Sequence, residues 1–383
     1  MSPTRGRTEG VAYLDEGPRQ GPALLLANSL GTTTALWEPQ VEVWSRYFRV
    51  IRYELPGHGQ SLVGEGAYTL ERLGGDALGL LERLGVERFS VCGLSLGGMV
   101  GLWLAAHSPQ RVESLVAACT AASFPPASSW LERAQLVRQE GLAALRPRLL
   151  ERWLSADFRG RFPDRAAQVG ALLDEVDGEG YARCCEALAA ADLGPGLSRV
   201  GASCLVVAGA EDPAVPAAAT LALWQGLPGA GLRILAGASH LANVEQPQVF
   251  ADAVTDHLLG APSGRGARAR RQVLGDRHVD RALAQANPVT RDFQDLITRF
   301  AWGEVWSRPQ LDRRSRRLLT IALLVAQGRF EELEMHLRAA GGDLTRAEVV
   351  ECLLQTAVYC GVPLANAAFQ VADRVLGEDR ADG

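Results

Sequence analysis

The chain contains no uncharged apolar run of the roughly 18 residues that a membrane-spanning helix needs, so no spanning segment is expected. No apolar segment follows the polar, arginine-containing stretch Met1–Gly10, and no export signal is expected. A basic surplus is missing too. Lys and Arg together number 39 against 44 Asp and Glu, for a net charge of −5, which argues against a nucleic-acid or anionic-membrane binder, since those need a basic face. The seven cysteines, at positions 92, 119, 184, 185, 204, 352 and 360, form no CxxC pair and no zinc-ligand spacing. Most lie in apolar stretches, where cysteine behaves as a small hydrophobe. Their odd count fits a reducing cytoplasm better than a disulfide scaffold. No metal or cofactor is expected. What remains is a chain of 383 residues, 47% apolar and 22% charged, long enough for two domains with a core each.

Residues 1–260 alternate short apolar runs with amphipathic stretches. Candidate buried strands are Ala23–Ala27, Arg49–Tyr53, Phe89–Cys92, Ser114–Ala118, Cys204–Ala208 and Leu232–Leu235. Segments of helical period, such as Leu70–Leu84 and Gly98–His107, lie between them. This alternation predicts an α/β fold with a mostly parallel sheet covered on both faces. From about 125 to 193 the helical period runs on without strands, which predicts an all-helical cap over the sheet's C-terminal edge. Residues 261–271 are small and basic without apolar periodicity, and are expected to form a linker; a polybasic contact site is the alternative. Residues 272–383 then read as a smaller all-α domain, with helices over Arg291–Trp306, Asp312–Gln327, Phe330–Ala340, Thr345–Cys360 and Pro363–Leu376. Thr345 and Glu348 have the form of a capping box, and Pro363 suits a first helical turn.

The strand Phe89–Cys92 runs into Gly93-Leu94-Ser95-Leu96-Gly97-Gly98 and then a helix, which is G-x-S-x-G in the strand–turn–helix context it requires. Ser95 is the candidate nucleophile, with the Leu96 N–H directed at a developing oxyanion. Asp212 and His240 each follow a candidate strand, in the Ser, Asp, His order of the α/β-hydrolase fold, so all three fall on the sheet edge where ligands bind. His240 is the candidate base and Asp212 the acid that orients it, with Glu211 the competing acid. The second oxyanion donor is expected in the loop after Ala23–Ala27, at the Leu30 N–H. His58, in Pro56-Gly57-His58-Gly59, reads as structural rather than as a base, and His107 and His257 end helices. Spacing alone stops at acyl transfer to water. An esterase, a carbon–carbon bond hydrolase and a cofactor-free haloperoxidase all remain open.

Asn28-Ser29-Leu30-Gly31 with Trp37, the nucleophile turn, Cys184-Cys185-Glu186-Ala187-Leu188 with Ala191-Asp192, and Ala238-Ser239-His240 resemble 3-oxoadipate enol-lactonase over nearly the whole first domain. The resemblance implies a small enol-lactone substrate bearing a carboxylate. The cap offers Arg133, Arg138 and Arg152 as its partner; Arg133, beside Trp130, is the one assigned, an exposed helical arginine being the competing reading.

The tail resembles 4-carboxymuconolactone decarboxylase through Val273-Leu274-Gly275-Asp276, Ala301-Trp302-Gly303 with Trp306, Arg308-Pro309, Glu331-Glu332-Leu333 with His336, and Tyr359-Cys360-Gly361-Val362-Pro363 with Asn366. Peroxidase relatives of that group use a CxxC pair, whereas Cys352 and Cys360 stand eight apart. A decarboxylase fits; a thiol peroxidase does not. Glu332 and His336, at i and i+4, share a helix face. With the resemblance, His336 is the candidate proton donor and Glu332 the residue that tunes or orients it; a solvated ion pair is the alternative. Arg308 and Arg314 are candidates for substrate carboxylates, while Trp302 and Trp306 read as core or subunit interface. The two resemblances together imply a bifunctional enzyme of protocatechuate breakdown, in the β-ketoadipate pathway, whose tail makes the lactone that the first domain opens. They also imply a homo-oligomer assembled through the helical tail. A lactonase whose tail serves only for oligomerisation remains the second hypothesis.

Overall fold

The computed structural model describes residues 3–260, 262–308, 311–340 and 343–378. The chain divides into two compact units, Met1–Leu258 and Leu259–Gly383. The first is built on strands β1 (Thr4–Thr8), β2 (Val11–Glu16), β3 (Ala23–Ala27), β4 (Arg49–Tyr53), β5 (Phe89–Leu94), β6 (Val112–Ala118), β7 (Ser203–Gly209) and β8 (Gly231–Leu235). They form one sheet in the order β1-β2-β4-β3-β5-β6-β7-β8. The first two pairings are antiparallel and the rest parallel. Leu24, Leu25 and Leu26 of β3 are fully buried, each burial contributing about 1.5–3 kcal/mol. The six apolar runs are all strands, but Leu232–Leu235 is not buried as expected: β8 is the other edge of the sheet, and of its residues Leu235 alone is buried. The β1–β2 hairpin is an addition: β1 reads Thr-Arg-Gly-Arg-Thr and is largely exposed, so it carries no apolar signal.

Helices α1 (Glu38–Trp44), α2 (Leu70–Arg83) and α3 (Leu96–His107) link the early strands. Between β6 and β7 the chain leaves the sheet for α4 (Ala127–Glu140), α5 (Arg146–Trp153), α6 (Ala156–Arg161), α7 (Pro163–Ala171) and α8 (Gly178–Ala190), the region of unbroken helical period. The unit closes with α9 (Ala217–Gly226), α10 (Ala242–Glu245) and α11 (Pro247–Leu259). From β3 the chain moves to β4 on one side, and from β5 through β8 on the other. The carboxyl ends of β3 and β5 therefore flank the point where connections diverge, which is where open α/β sheets bind ligands.

The second unit is helical: α12 (Pro262–Leu274), α13 (Asp276–Ala284), α14 (Arg291–Ile297) running into a π-helical stretch over Thr298–Trp306, α15 (Arg313–Ala326), α16 (Phe330–Arg338), α17 (Arg346–Cys360) and α18 (Val362–Glu378). Ile321, Val325, Leu333, Leu337 and Leu353 lie in its main core, while Val273, Leu274, Val279 and Trp302 form a second cluster. The capping box of Thr345 and Glu348 opens α17, and Pro363 lies in the first turn of α18.

The linker expected over 261–271 is corrected by α12. Ala261 lies outside the described residues, and the remainder is helical. Its small residues serve close packing: a Cβ on Gly266 would stand 1.8 Å from the Thr298 carbonyl oxygen. Arg270 is buried and donates to Thr298 Oγ1 at 3.3 Å. Alanine and arginine are also strong helix formers, so glycine and charge here imitate a spacer without making one. Among the described residues, no helix is long and apolar enough to cross a membrane.

Candidate active site

Ser95 occupies the turn between β5 and α3 with φ 57° and ψ −116°, a region that costs a non-glycine residue about 1–3 kcal/mol. The surroundings enforce it. A Cβ on Gly93 would meet the Gly97 carbonyl oxygen at 2.1 Å, and one on Gly97 would meet the Ala27 carbonyl oxygen at 2.1 Å, so the turn is threaded against the end of β3. The Ser95 N–H donates to the Ala118 carbonyl at 2.9 Å, and Thr120 Oγ1 donates to the Ser95 carbonyl at 2.7 Å.

Asp212, beyond β7, accepts from the Ala214 and Val215 N–H groups at 2.7 and 3.0 Å through Oδ1. Its Oδ2 lies 2.8 Å from His240 Nδ1. A proton on Nδ1 in that bond leaves Nε2 as the basic nitrogen. Glu211 is exposed. Ser95 and His240 line one inner cavity with Ser29, Leu30, Trp153 and Tyr181. Neither the Leu30 nor the Leu96 N–H is consumed by a backbone carbonyl among the described residues.

The loop carrying Leu30 is braced from below. His58 is fully buried; its Nε2 accepts the Gly31 N–H at 3.1 Å, and its Nδ1 lies 3.1 Å from the Pro56 carbonyl. Burial lowers its pKa to about 4, which keeps the ring neutral. Asn28 donates to the Tyr53 carbonyl and to Glu54 Oε2, both at 3.0 Å, and accepts from Trp37 Nε1 at 2.9 Å. Glu54 in turn accepts from the Thr34 N–H and hydroxyl at 2.9 and 2.8 Å, and burial raises its pKa to about 7.

An outer cleft of about 340 Å³ adjoins the inner cavity and shares Phe124, Trp130, Arg133, Leu149 and Arg152 with it. The chain has no lysine, so the cations here are guanidiniums, which match carboxylates in a planar fork. Arg133 lies over the Trp130 ring at 4.6 Å, on the cavity wall rather than on an outer helix face. Arg152 stands with it, and desolvation and the charge of Arg133 lower its pKa. Arg138 is committed to Glu179 and Glu186. Arg148, which lines the outer cleft, carries no sequence signal to separate it from other cap arginines.

In the second unit His336 is buried on α16, and its Nδ1 has no hydrogen-bond partner among the described residues. The Trp306 ring stacks on it at 6.2 Å. Burial, then the charges of Arg317 and His278, lower its pKa to about 4. Glu332 does not orient it: that carboxylate turns to Arg329, which donates through Nε at 3.1 Å. Arg314 is not available either, since its Nε donates to the capping-box Glu348 at 2.7 Å. Arg308 is exposed beyond the π-helical stretch, and the neighbouring Pro309 lies outside the described residues. The cation actually beside His336 is Arg317, which is fully buried and donates to the His336 carbonyl at 3.3 Å, the Val273 carbonyl at 2.9 Å and Asp343 Oδ2 at 2.6 Å. One arginine among several on α15 gives no sequence sign of this burial. Trp302 is core, packed 5.2 Å from Trp306.

Known proteins match in the same two parts. A family described as alpha/beta hydrolase fold matches residues 22–247, and the carboxymuconolactone decarboxylase family matches residues 291–374. 3-oxoadipate enol-lactonase 2 of Acinetobacter baylyi is 40% identical over 242 residues, which are 63% of this chain and 90% of that protein. The 4-carboxymuconolactone decarboxylase of the same organism is 49% identical over 113 residues, 29% of this chain and 84% of that protein. The crystal structure of the enol-lactonase from Burkholderia xenovorans superposes with a TM-score of 0.64 at 39% identity, covering 67% of this chain and 99% of that one. The chain thus belongs to the α/β-hydrolase family through its first unit, of the enol-lactonase kind, and to the carboxymuconolactone decarboxylase family through its second.

Proposed function

We propose that the chain performs two consecutive steps of protocatechuate catabolism: it decarboxylates 4-carboxymuconolactone to 3-oxoadipate enol-lactone and hydrolyses that lactone to 3-oxoadipate. The observation that carries this reading is the union, in one polypeptide, of relatives of both enzymes, the product of one being the substrate of the other.

In the lactonase step Ser95 Oγ attacks the ring carbonyl while His240 Nε2 takes its proton and Asp212 stabilises the imidazolium. The Leu30 and Leu96 N–H groups receive the oxyanion. Collapse breaks the ring C–O bond, and the departing enolate takes a proton to become the ketone. Water, activated by His240, then attacks the acyl-enzyme ester and frees Ser95. Arg133 and Arg152 hold the substrate carboxylate.

In the decarboxylase step the bond to the ring carboxyl breaks, carbon dioxide leaves, and the electron pair passes through the ring double bond to the lactone carbonyl oxygen. A ring carbon is then protonated, giving the enol-lactone. His336 is the proton carrier. It is neutral in the free protein, and a bound dicarboxylate opposes the Arg317 and His278 charges that lower its pKa. A cleft of about 600 Å³ beside α16 is lined by Arg277, His278 and Arg281 and by Met335, the residue before His336, although His336 itself is not part of that lining; its arginines suit an anionic substrate. The exposed apolar residues Val358, Tyr359 and Val362 support self-association of this unit into a homo-oligomer. The seven free thiols suit a reducing cytoplasm.

The test supplies 4-carboxymuconolactone and follows products by NMR. The intact chain is expected to deliver 3-oxoadipate. Ser95→Ala should accumulate enol-lactone, with ring opening reduced at least about a thousandfold, and His336→Ala should leave the starting lactone. Untouched lactone with the intact chain would remove the decarboxylase step; fast ring opening by Ser95→Ala would remove the nucleophile.

A further inference from the structure

One carboxylate outside the triad fastens the cap to the segment that carries the base. Glu245, in α10, is buried at 8% exposure. Its Oε1 accepts the Ser155 N–H at 2.8 Å and the Ser155 hydroxyl at 2.7 Å, while Oε2 accepts the Ser239 N–H. Ser155 caps α6 through the Phe158 N–H, and Ser239 immediately precedes His240. On the other side of His240, the Leu241 N–H donates to the Trp153 carbonyl at 2.9 Å. Residues 239 and 241 are therefore both tied to cap residues 153–155. The adjoining cap residues Arg152 and Trp153 form part of the wall facing Ser95 and His240.

The geometry points to Glu245 as a positioning residue that fixes the span between the arginine wall of the cap and the Ser95–His240 pair, and so selects acyl substrates whose carboxylate matches that span. It touches no substrate. The site needs a carboxylate because all three of its partners are donors. An amide at this position places an N–H₂ against an N–H or O–H and leaves one buried donor unmet. Loosening the strap leaves the triad assembled, since the Asp212–His240 bond is made independently, but lets Arg152 and Trp153 drift relative to the reacting carbonyl.

The inference rests on the carboxylated lactone being the substrate, and the experiment separates the two ideas. Glu245→Gln and Ser155→Ala are made in the full chain, and active sites are counted by an organophosphate that labels the serine. Values of kcat and KM are measured for the enol-lactone and for p-nitrophenyl acetate, a neutral ester. Per active site, the ratio of kcat/KM for lactone over ester is expected to fall roughly tenfold in Glu245→Gln and about threefold in Ser155→Ala, chiefly through KM for the lactone. Equal losses on both substrates, with the wild-type preference intact, overturn the positioning role alone. No preference for the lactone in the wild-type chain overturns both the substrate reading and this inference. If Glu245→Gln fails to fold, the Ser155→Ala ratio decides.

Discussion

His58 has both ring nitrogens engaged by backbone, and one of those bonds holds Gly31, next to the proposed Leu30 oxyanion donor. Only the neutral ring with a free Nε2 lone pair can accept there, so protonation turns the contact into a clash of donors. The folded pKa is lowered from 6.5 to about 4. The folded chain therefore binds fewer protons than the unfolded chain between those values, and stability is complete above pH 6.5 and falls as the pH drops toward 4. The variant His58→Gln keeps an amide oxygen for the Gly31 N–H and does not titrate. Its thermal midpoint, followed by circular dichroism, is expected to fall less steeply than that of the wild type over this interval. Parallel curves would show that His58 contributes no pH dependence. The tasks of His58 and Glu245 at the site were illegible because each turns on a contact with a distant segment, His58 with the Gly31 N–H and Glu245 with the N–H and hydroxyl of Ser155, which no spacing encodes. The places of Ser95, Asp212 and His240 were legible because each follows directly on an apolar strand.

Among elements, α12 shows where composition misleads. Glycine and arginine at 264–271 resemble a spacer, yet Gly266 is where two helical backbones meet: its Cβ position lies 1.8 Å from the Thr298 carbonyl oxygen and 2.9 Å from the Gly303 nitrogen. Gly266→Ala would gain about 1 kcal/mol of helix propensity but must push backbone away. The net expectation is destabilisation of the second unit by about 1–3 kcal/mol. Differential scanning calorimetry should show a transition at lower temperature with Ser95-dependent ester hydrolysis retained at 25 °C (a temperature of ordinary assay, about 298 K). An unchanged thermogram would mean the helices separate at little cost. The strands were legible for the opposite reason. β3, β5, β6 and β7 include continuous apolar runs, the signature of burial on both faces, whereas β1 and β8 at the two sheet edges are largely exposed.

At the scale of the whole molecule, the second unit carries apolar surface that a solitary chain would leave in water. Val358, Tyr359 and Val362 are 75%, 80% and 71% exposed around the turn from α17 to α18. Light scattering is expected to give a mass that is a multiple of the single chain, and Tyr359→Arg should shift it toward one chain. A wild-type protein that stays single at micromolar concentration would refute this. The two-part organisation was legible because the period of the apolar residues changes from strand–helix alternation to helix alone. The boundary read at residue 260 falls within two residues of the division between Leu258 and Leu259; what was not legible is that a helix of small and basic residues, rather than a spacer, follows it.

Ser95 returns at this scale. Its backbone is held at φ 57°, where glycine is at ease and serine is not. A glycine at position 95 would relieve the turn and at the same time remove the proposed nucleophile. With Ser95 as the proposed nucleophile, the backbone strain at that position is a stability cost borne for the hydroxyl.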